Sequence, residues 1–346
     1  MTPGSVSRRR LTVVAGASLA VTVIVGAWLR LVMAGAPLPL GDFGDIRHLH
    51  THLGYYGVLF PLMWAAWSRL GGPAPGPRGL GLYAAAVAVS AVGFGLDGYG
   101  PVAIAGSTAV LVGWVVSAWA LWRSKPTGWL STVPVGVLLG SAMVPWVAIS
   151  AGGPRASEVA RSFLGMLLLC ALTPTALAVI RARPFPSLGW LLAGAASALS
   201  LGAIVGPHRV ALLVVGALMG AAALASRAAL DLKVSWLATA VPLALVGAGA
   251  LPLTEQLAVA GVHFLVLGPL LGSLWPRRPG PALRWSYLGL LSMMCAAILL
   301  QDLAWDPRLP SLAAAAGTGV ALSWLVWLFW LVWRPAVPDN TADLAF

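Results

Sequence analysis

Apolar runs of about twenty residues recur along the chain, each ended by a short break rich in Gly, Pro and Arg. GGPAPGPRG at 71–79, RARPFPS at 181–187 and WPRRPGPALR at 275–284 are such breaks. The pattern predicts helices at roughly 11–33, 48–68, 80–97, 101–122, 128–150, 162–181, 187–205, 208–226, 234–252, 255–275, 284–301 and 310–333. Runs of this length match the hydrocarbon thickness of a bilayer, and helices satisfy their own backbone there. The fold class expected is all-α: a polytopic membrane protein of about twelve transmembrane helices. The reading gives one transmembrane helical domain over 1–346, with short disordered tails at about 1–9 and 336–346. There is no sign of an internal sequence repeat. Residues 8–28, with three arginines before a long apolar stretch, read as a first spanning helix rather than a signal segment, whose apolar core is shorter.

Composition agrees with the pattern. Apolar residues make up 59% of the 346 and charged residues 9%, too few charges to cover a water-facing surface. The net charge of +11 is explained by topology and calls for no nucleic acid. If the helices alternate in direction, 15 of the 21 Lys and Arg residues fall on one side. The positive-inside rule then puts both termini in the cytoplasm. Trp67, Trp122, Trp129, Trp275, Trp305 and Trp333, near helix ends, read as an interfacial belt, and the Trp-rich twelfth helix as peripheral and lipid-facing. Cys170 and Cys295 lie in apolar runs and read as small buried residues.

With this topology all five histidines belong to the outer half. His48, His50 and His52 open the second helix, His208 opens the eighth, and His263 lies eight residues into the tenth. That places His263 about 12 Å below the outer boundary at a rise of about 1.5 Å per residue. His48 and His52 share a helical face, while His50 points to nearly the opposite side. One face can therefore serve one ligand and the other face another. Imidazole ligates haem iron and copper, and ionisable groups within a membrane usually mark a site. Gly54 and Gly57 open a groove on the second helix, and Gly261 and Gly268 flank His263.

The stretch Arg47-His48-Leu49-His50-Thr51-His52-Leu53 resembles the Arg-x-x-His-x-Asn-Leu segment of the haem subunit of nitric-oxide reductases. It is also similar to the His-x-His segments of NnrS-type haem- and copper-binding membrane proteins. Twelve helices, with His in the second and His in the tenth, resemble the haem-copper oxidase subunit I superfamily. That resemblance implies a bacterial-type inner membrane and a bis-histidine low-spin haem b held by His50 and His263, with Arg47 and Gly54 beside it. It leaves His48, His52 and His208 for a copper ion. His52 stands where the reductases carry Asn.

The departures are as informative. Oxidases of that superfamily use six histidines, with copper ligands on the sixth and seventh helices, where this chain has none. Glu158 and Glu255 lie near loops, and Asp97 and Asp302 near helix ends. The resemblance therefore implies no complete binuclear centre and no oxygen reduction by this chain alone. Electron transfer, nitric-oxide or metal handling, or assembly of a respiratory complex are the roles it implies, with the lipid bilayer and other respiratory-chain subunits as partners. The competing reading is a small-solute transporter without cofactor, since twelve helices is a common transporter number. The lack of a repeat and of mid-membrane charge counts against it.

Overall fold

The computed structural model describes residues 3–37, 41–150, 153, 156–182, 191, 194, 209–275, 279–303 and 306–333. Among these, all regular structure is helical. The long helices are α1 (Pro3–Met33), α2 (43–69), α3 (Pro77–Asp97), α4 (Pro101–Arg123), α5 (Val133–Ser150) and α6 (156–179). They continue with α7 (Arg209–Ala225), α8 (Leu230–Gly247), α9 (255–274), α10 (Pro281–Leu303) and α11 (Leu309–Trp333). Nine helices among the described residues are long and apolar enough to cross a membrane, so the chain is a multi-pass membrane protein. The seventh predicted helix, 187–205, falls almost wholly outside the described residues, so the tenth predicted helix is α9.

Two boundaries differ from the sequence reading. α1 begins at Pro3, within the stretch read as a tail. α2 begins at Phe43, not at 48, because the Asp42 carboxylate accepts from Gly44 N and caps a turn that hydropathy does not mark. The three histidines thus lie about one and a half to two and a half turns inside the helix.

Helices α3 and α4 pack together, as do α7 with α8 and α10 with α11, and α1 packs on α11, joining the first and last helices. Small residues set these approaches. A Cβ on Gly216 would stand 2.6 Å from both Ala240 O and Ala244 N, so α7 and α8 meet backbone to backbone there. The segments Phe60–Arg69 of α2, Thr173–Val179 of α6 and Leu271–Leu274 of α9 pack against one another. Phe60 to Trp67 and Met166 to Leu177 are all buried, so this junction is the centre of the bundle.

Each of those central helices contains a π-helical turn: Leu53–Leu59, Met166–Leu172 and Val266–Leu270. A proline follows or ends each one, at Pro61, Pro174 and Pro269. Proline donates no N–H and crowds the carbonyl four residues back, and a widened turn relieves that crowding without breaking the helix. The prolines that the sequence marks as kinks are thus absorbed in π turns at the core.

Three of the six tryptophans read as an interfacial belt are buried, and Trp305 lies outside the described residues. Trp67, Trp129 and Trp275 are 0%, 4% and 2% exposed, whereas Trp122 is 52% exposed. Buried indoles find partners inside: Trp67 Nε1 donates to Thr175 Oγ1 at 3.1 Å, and Trp129 Nε1 to Ala182 O at 3.1 Å. Trp114 Nε1 donates to Tyr83 Oη, which donates to Tyr56 O in the π turn of α2. The same relay recurs in the second half: Trp324 Nε1 to Tyr287 Oη, and Tyr287 Oη to Leu267 O in the π turn of α9. α11 is therefore not a lipid-facing outlier, since Trp324 and Trp327 are buried and its neighbours are α1 and α10.

Candidate functional site

The odd and even histidines of α2 separate as helical spacing requires. His50 faces α1: its Nδ1 lies 2.9 Å from Thr22 O, and its ring sits where a Cβ on Gly26 would be, 2.6 Å from Cε1. His52 faces α3, stacked on Phe94 with ring centroids 3.8 Å apart. His48 meets Tyr99 edge-on at 4.7 Å, and its ring centre lies 6.1 Å from that of His52. Tyr99 sits in the short link between α3 and α4, where burial raises its phenol above the ordinary value and Arg47 partly offsets this.

Three of these imidazoles are oriented by carbonyls. His263 Nδ1 lies 2.8 Å from Val259 O, and His52 Nδ1 lies 2.9 Å from His48 O. A carbonyl oxygen only accepts, so in His50, His52 and His263 the hydrogen sits on Nδ1 and Nε2 keeps its lone pair. A metal-ligating histidine is commonly fixed in this way by a partner on its other nitrogen.

His50 and His263 come from different helices yet lie close enough to interact electrostatically. Both are half-buried. The ends Phe60–Arg69 and Leu271–Leu274 pack together, while Phe43–His52 and Glu255–Leu265 make no comparable packing. α2 and α9 thus splay apart toward the histidine end of the bundle. Gly261, one turn before Leu265, has no neighbour within 4 Å of the place its Cβ would take.

Two further groups join this cluster without having been marked as site residues by the sequence. Arg30 of α1 stands within electrostatic reach of His50, His263 and Cys295. Cys295 Sγ donates to Ala260 O at 3.5 Å, tying α10 to α9 one turn from His263. Gly317 of α11 makes room on the far side, since a Cβ there would stand 3.7 Å from Arg30 Cγ. The signal for Arg30 in the sequence was a lone cation inside the apolar run GAWLRLVM.

Other expected site residues land elsewhere. Arg47 is exposed and lies on the His48–Tyr99 side, interacting electrostatically with those two residues. Gly54 serves helix packing: its Cβ would stand 3.6 Å from Thr22 Cγ2, and Gly57 is tighter still against Ser18. The groove these glycines open on α2 is filled by α1, not left free for a flat ligand. Gly26 takes the role of spacing a ring. His208 lies outside the described residues, and among the described residues no three His, Cys, Asp or Glu side chains gather as a metal set. No family model matches the chain, and no curated protein matches it.

Proposed function

We propose that this protein is a twelve-span inner-membrane haem protein, with both termini cytoplasmic and a b-type haem held between His50 and His263 near the outer face. The observation that carries the reading is the pair itself. Two imidazoles from separate helices interact electrostatically, each with Nδ1 anchored on a carbonyl and Nε2 left as a lone-pair donor for iron. The donor set fits the group. Gly26 leaves room for the His50 ring, and Arg30 is the nearby cation that would pair with a haem propionate. A haem held by His50 and His263 would supply one-electron transfer. Thr22 O and Val259 O would hold the two rings in their ligating tautomer, and Arg30 would balance charge where water is scarce. The role that fits is electron transfer or the assembly or support of a respiratory complex, with nitric-oxide or metal handling as the wider class. Complete oxygen reduction is not among the proposed activities. Copper is left out of the proposal, because His48 and His52 bring two imidazoles and no third ligand joins them among the described residues.

The test is absorbance of the purified full chain from cells supplied with haem precursor. A Soret band and a pyridine haemochrome of the b type, in about one copy per chain, support the reading. Chain that stays colourless, and whose melting temperature responds to a small solute instead, supports a transporter and rejects haem.

A further inference from the structure

Both tyrosine–tryptophan relays end on a carbonyl that a π turn leaves over. In α2 the Phe60 N–H reaches back five residues to Tyr55 O, so it does not serve Tyr56 O as it would in a regular α-helix. The next residue, Pro61, has no N–H to offer in its place. Tyr83 Oη, from the following helix, donates to Tyr56 O at 2.8 Å. In α9 the Leu271 N–H, the α-helical donor to Leu267 O, bonds instead to Val266 O and Gly268 O. Tyr287 Oη, again from the following helix, donates to Leu267 O at 2.8 Å. A buried carbonyl without a donor is costly, so each hydroxyl favours the widened turn over a regular one. Each hydroxyl is fixed in turn by a buried indole. Trp114 Nε1 lies 3.1 Å from Tyr83 Oη, and Trp324 Nε1 lies 2.9 Å from Tyr287 Oη.

Helical phase says what these turns accomplish. A π turn amounts to one extra residue taken up inside an α-helix. Were it to relax to regular α-helix, the segment on one side would rotate by about 100° against the other. The segments Phe60–Arg69 and Leu271–Leu274 are packed into the centre of the bundle. The segments left to rotate are Phe43–His52 and Glu255–Leu265, which carry His50 and His263. His263 lies four residues before Leu267, one turn from the carbonyl that Tyr287 holds. A ring turned by about 100° would leave the cluster that His50, His263 and Arg30 now share.

We infer that Tyr287 with Trp324, and Tyr83 with Trp114, are positioning residues for the histidine pair. They hold the two π turns, and through those turns they aim His263 and His50. The inference rests on the haem reading for what the pair grips, and adds the side chains that set its aim.

The experiment compares full-length variants of the α9 relay by electron paramagnetic resonance and by thermal melts. Tyr287→Phe keeps the ring and removes the donor to Leu267 O. It is expected to shift the low-spin ferric signal and to bring up a high-spin one, and Trp324→Phe to do the same. Thr175→Val, which takes the acceptor from Trp67 Nε1 in the same core, is expected to lower the melting temperature and leave the signal where it was. Deleting Pro269 removes the extra residue together with the proline, so α9 can run as regular α-helix with His263 facing as before. In that background Tyr287→Phe is expected to leave the signal unmoved and to lower the melting temperature less than it does in the parent. A parent with the low-spin signal, unmoved by Tyr287→Phe and Trp324→Phe, overturns this inference and leaves the haem reading standing. A parent without that signal rejects the haem reading. The melts need no haem, and an equal loss from Tyr287→Phe with and without Pro269 overturns the hold on the π turn. Should the deletion fail to fold, the comparison of Tyr287→Phe with Thr175→Val still decides.

Discussion

Gly26 carries more of the site than its size implies. The His50 ring occupies the space its Cβ would take, 2.6 Å from Cε1. Gly26→Ala forces that ring to turn or slide, which breaks the bond to Thr22 O or re-aims Nε2. The expected outcome is a haem dissociation constant about tenfold weaker, about 1.4 kcal/mol, with a shifted Soret maximum. Gly81→Ala, where nothing lies within 4 Å, leaves both unchanged. At this scale the sequence was legible where local geometry suffices. The spacing of 48, 50 and 52 fixed which imidazoles share a face, because a helix turns by about 100° per residue. It marked Arg30 only as a lone cation in an apolar run, since nothing along the chain tells that residue 30 lies within electrostatic reach of residues 50, 263 and 295. A motif gives only neighbours in sequence, and of those it marked, Arg47 faces out and Gly54 packs on α1.

Among the helices, close approach and widened turns do the positioning. Gly216 lets α7 and α8 meet where a Cβ would touch backbone on both Ala240 and Ala244. Gly216→Ala is expected to lower stability by about 2 kcal/mol, because backbone cannot rotate away as a side chain can. Gly289→Ala, on α10 with open space beside it, is expected to be neutral or to stabilise by up to about 1 kcal/mol through helix propensity. Thermal melts of the two variants in one detergent give the comparison, and equal shifts would contradict the packing argument. Tyr83→Phe removes the donor to Tyr56 O and leaves the Trp114 N–H without its acceptor, at an expected cost of about 1–3 kcal/mol in the same assay. The existence and order of the helices among the described residues were legible because hydropathy over twenty residues is a strong signal. The π turns were not, because the prolines behind them read equally well as kinks. The indole partners were not, because Trp67 and Thr175 are 108 positions apart.

For the molecule as a whole, the proposed topology has the loop at 71–76 cytoplasmic and the link at 248–254 external. In a background without Cys170 and Cys295, Leu251→Cys is expected to react with a membrane-impermeant maleimide in intact cells, and Arg78→Cys only after lysis. The reverse pattern would invert the topology and move the histidine end to the cytoplasm. The central claim is that imidazoles from α2 and α9 grip one iron, and electron paramagnetic resonance of the oxidised full chain tests it most directly. The parent protein is expected to give the low-spin ferric signal of two-imidazole ligation. His50→Gly and His263→Gly are each expected to convert it to high spin, and added imidazole to restore it, while His52→Gly leaves it intact. A parent with no ferric haem signal, or a low-spin signal that survives loss of His50 or His263, would contradict the account.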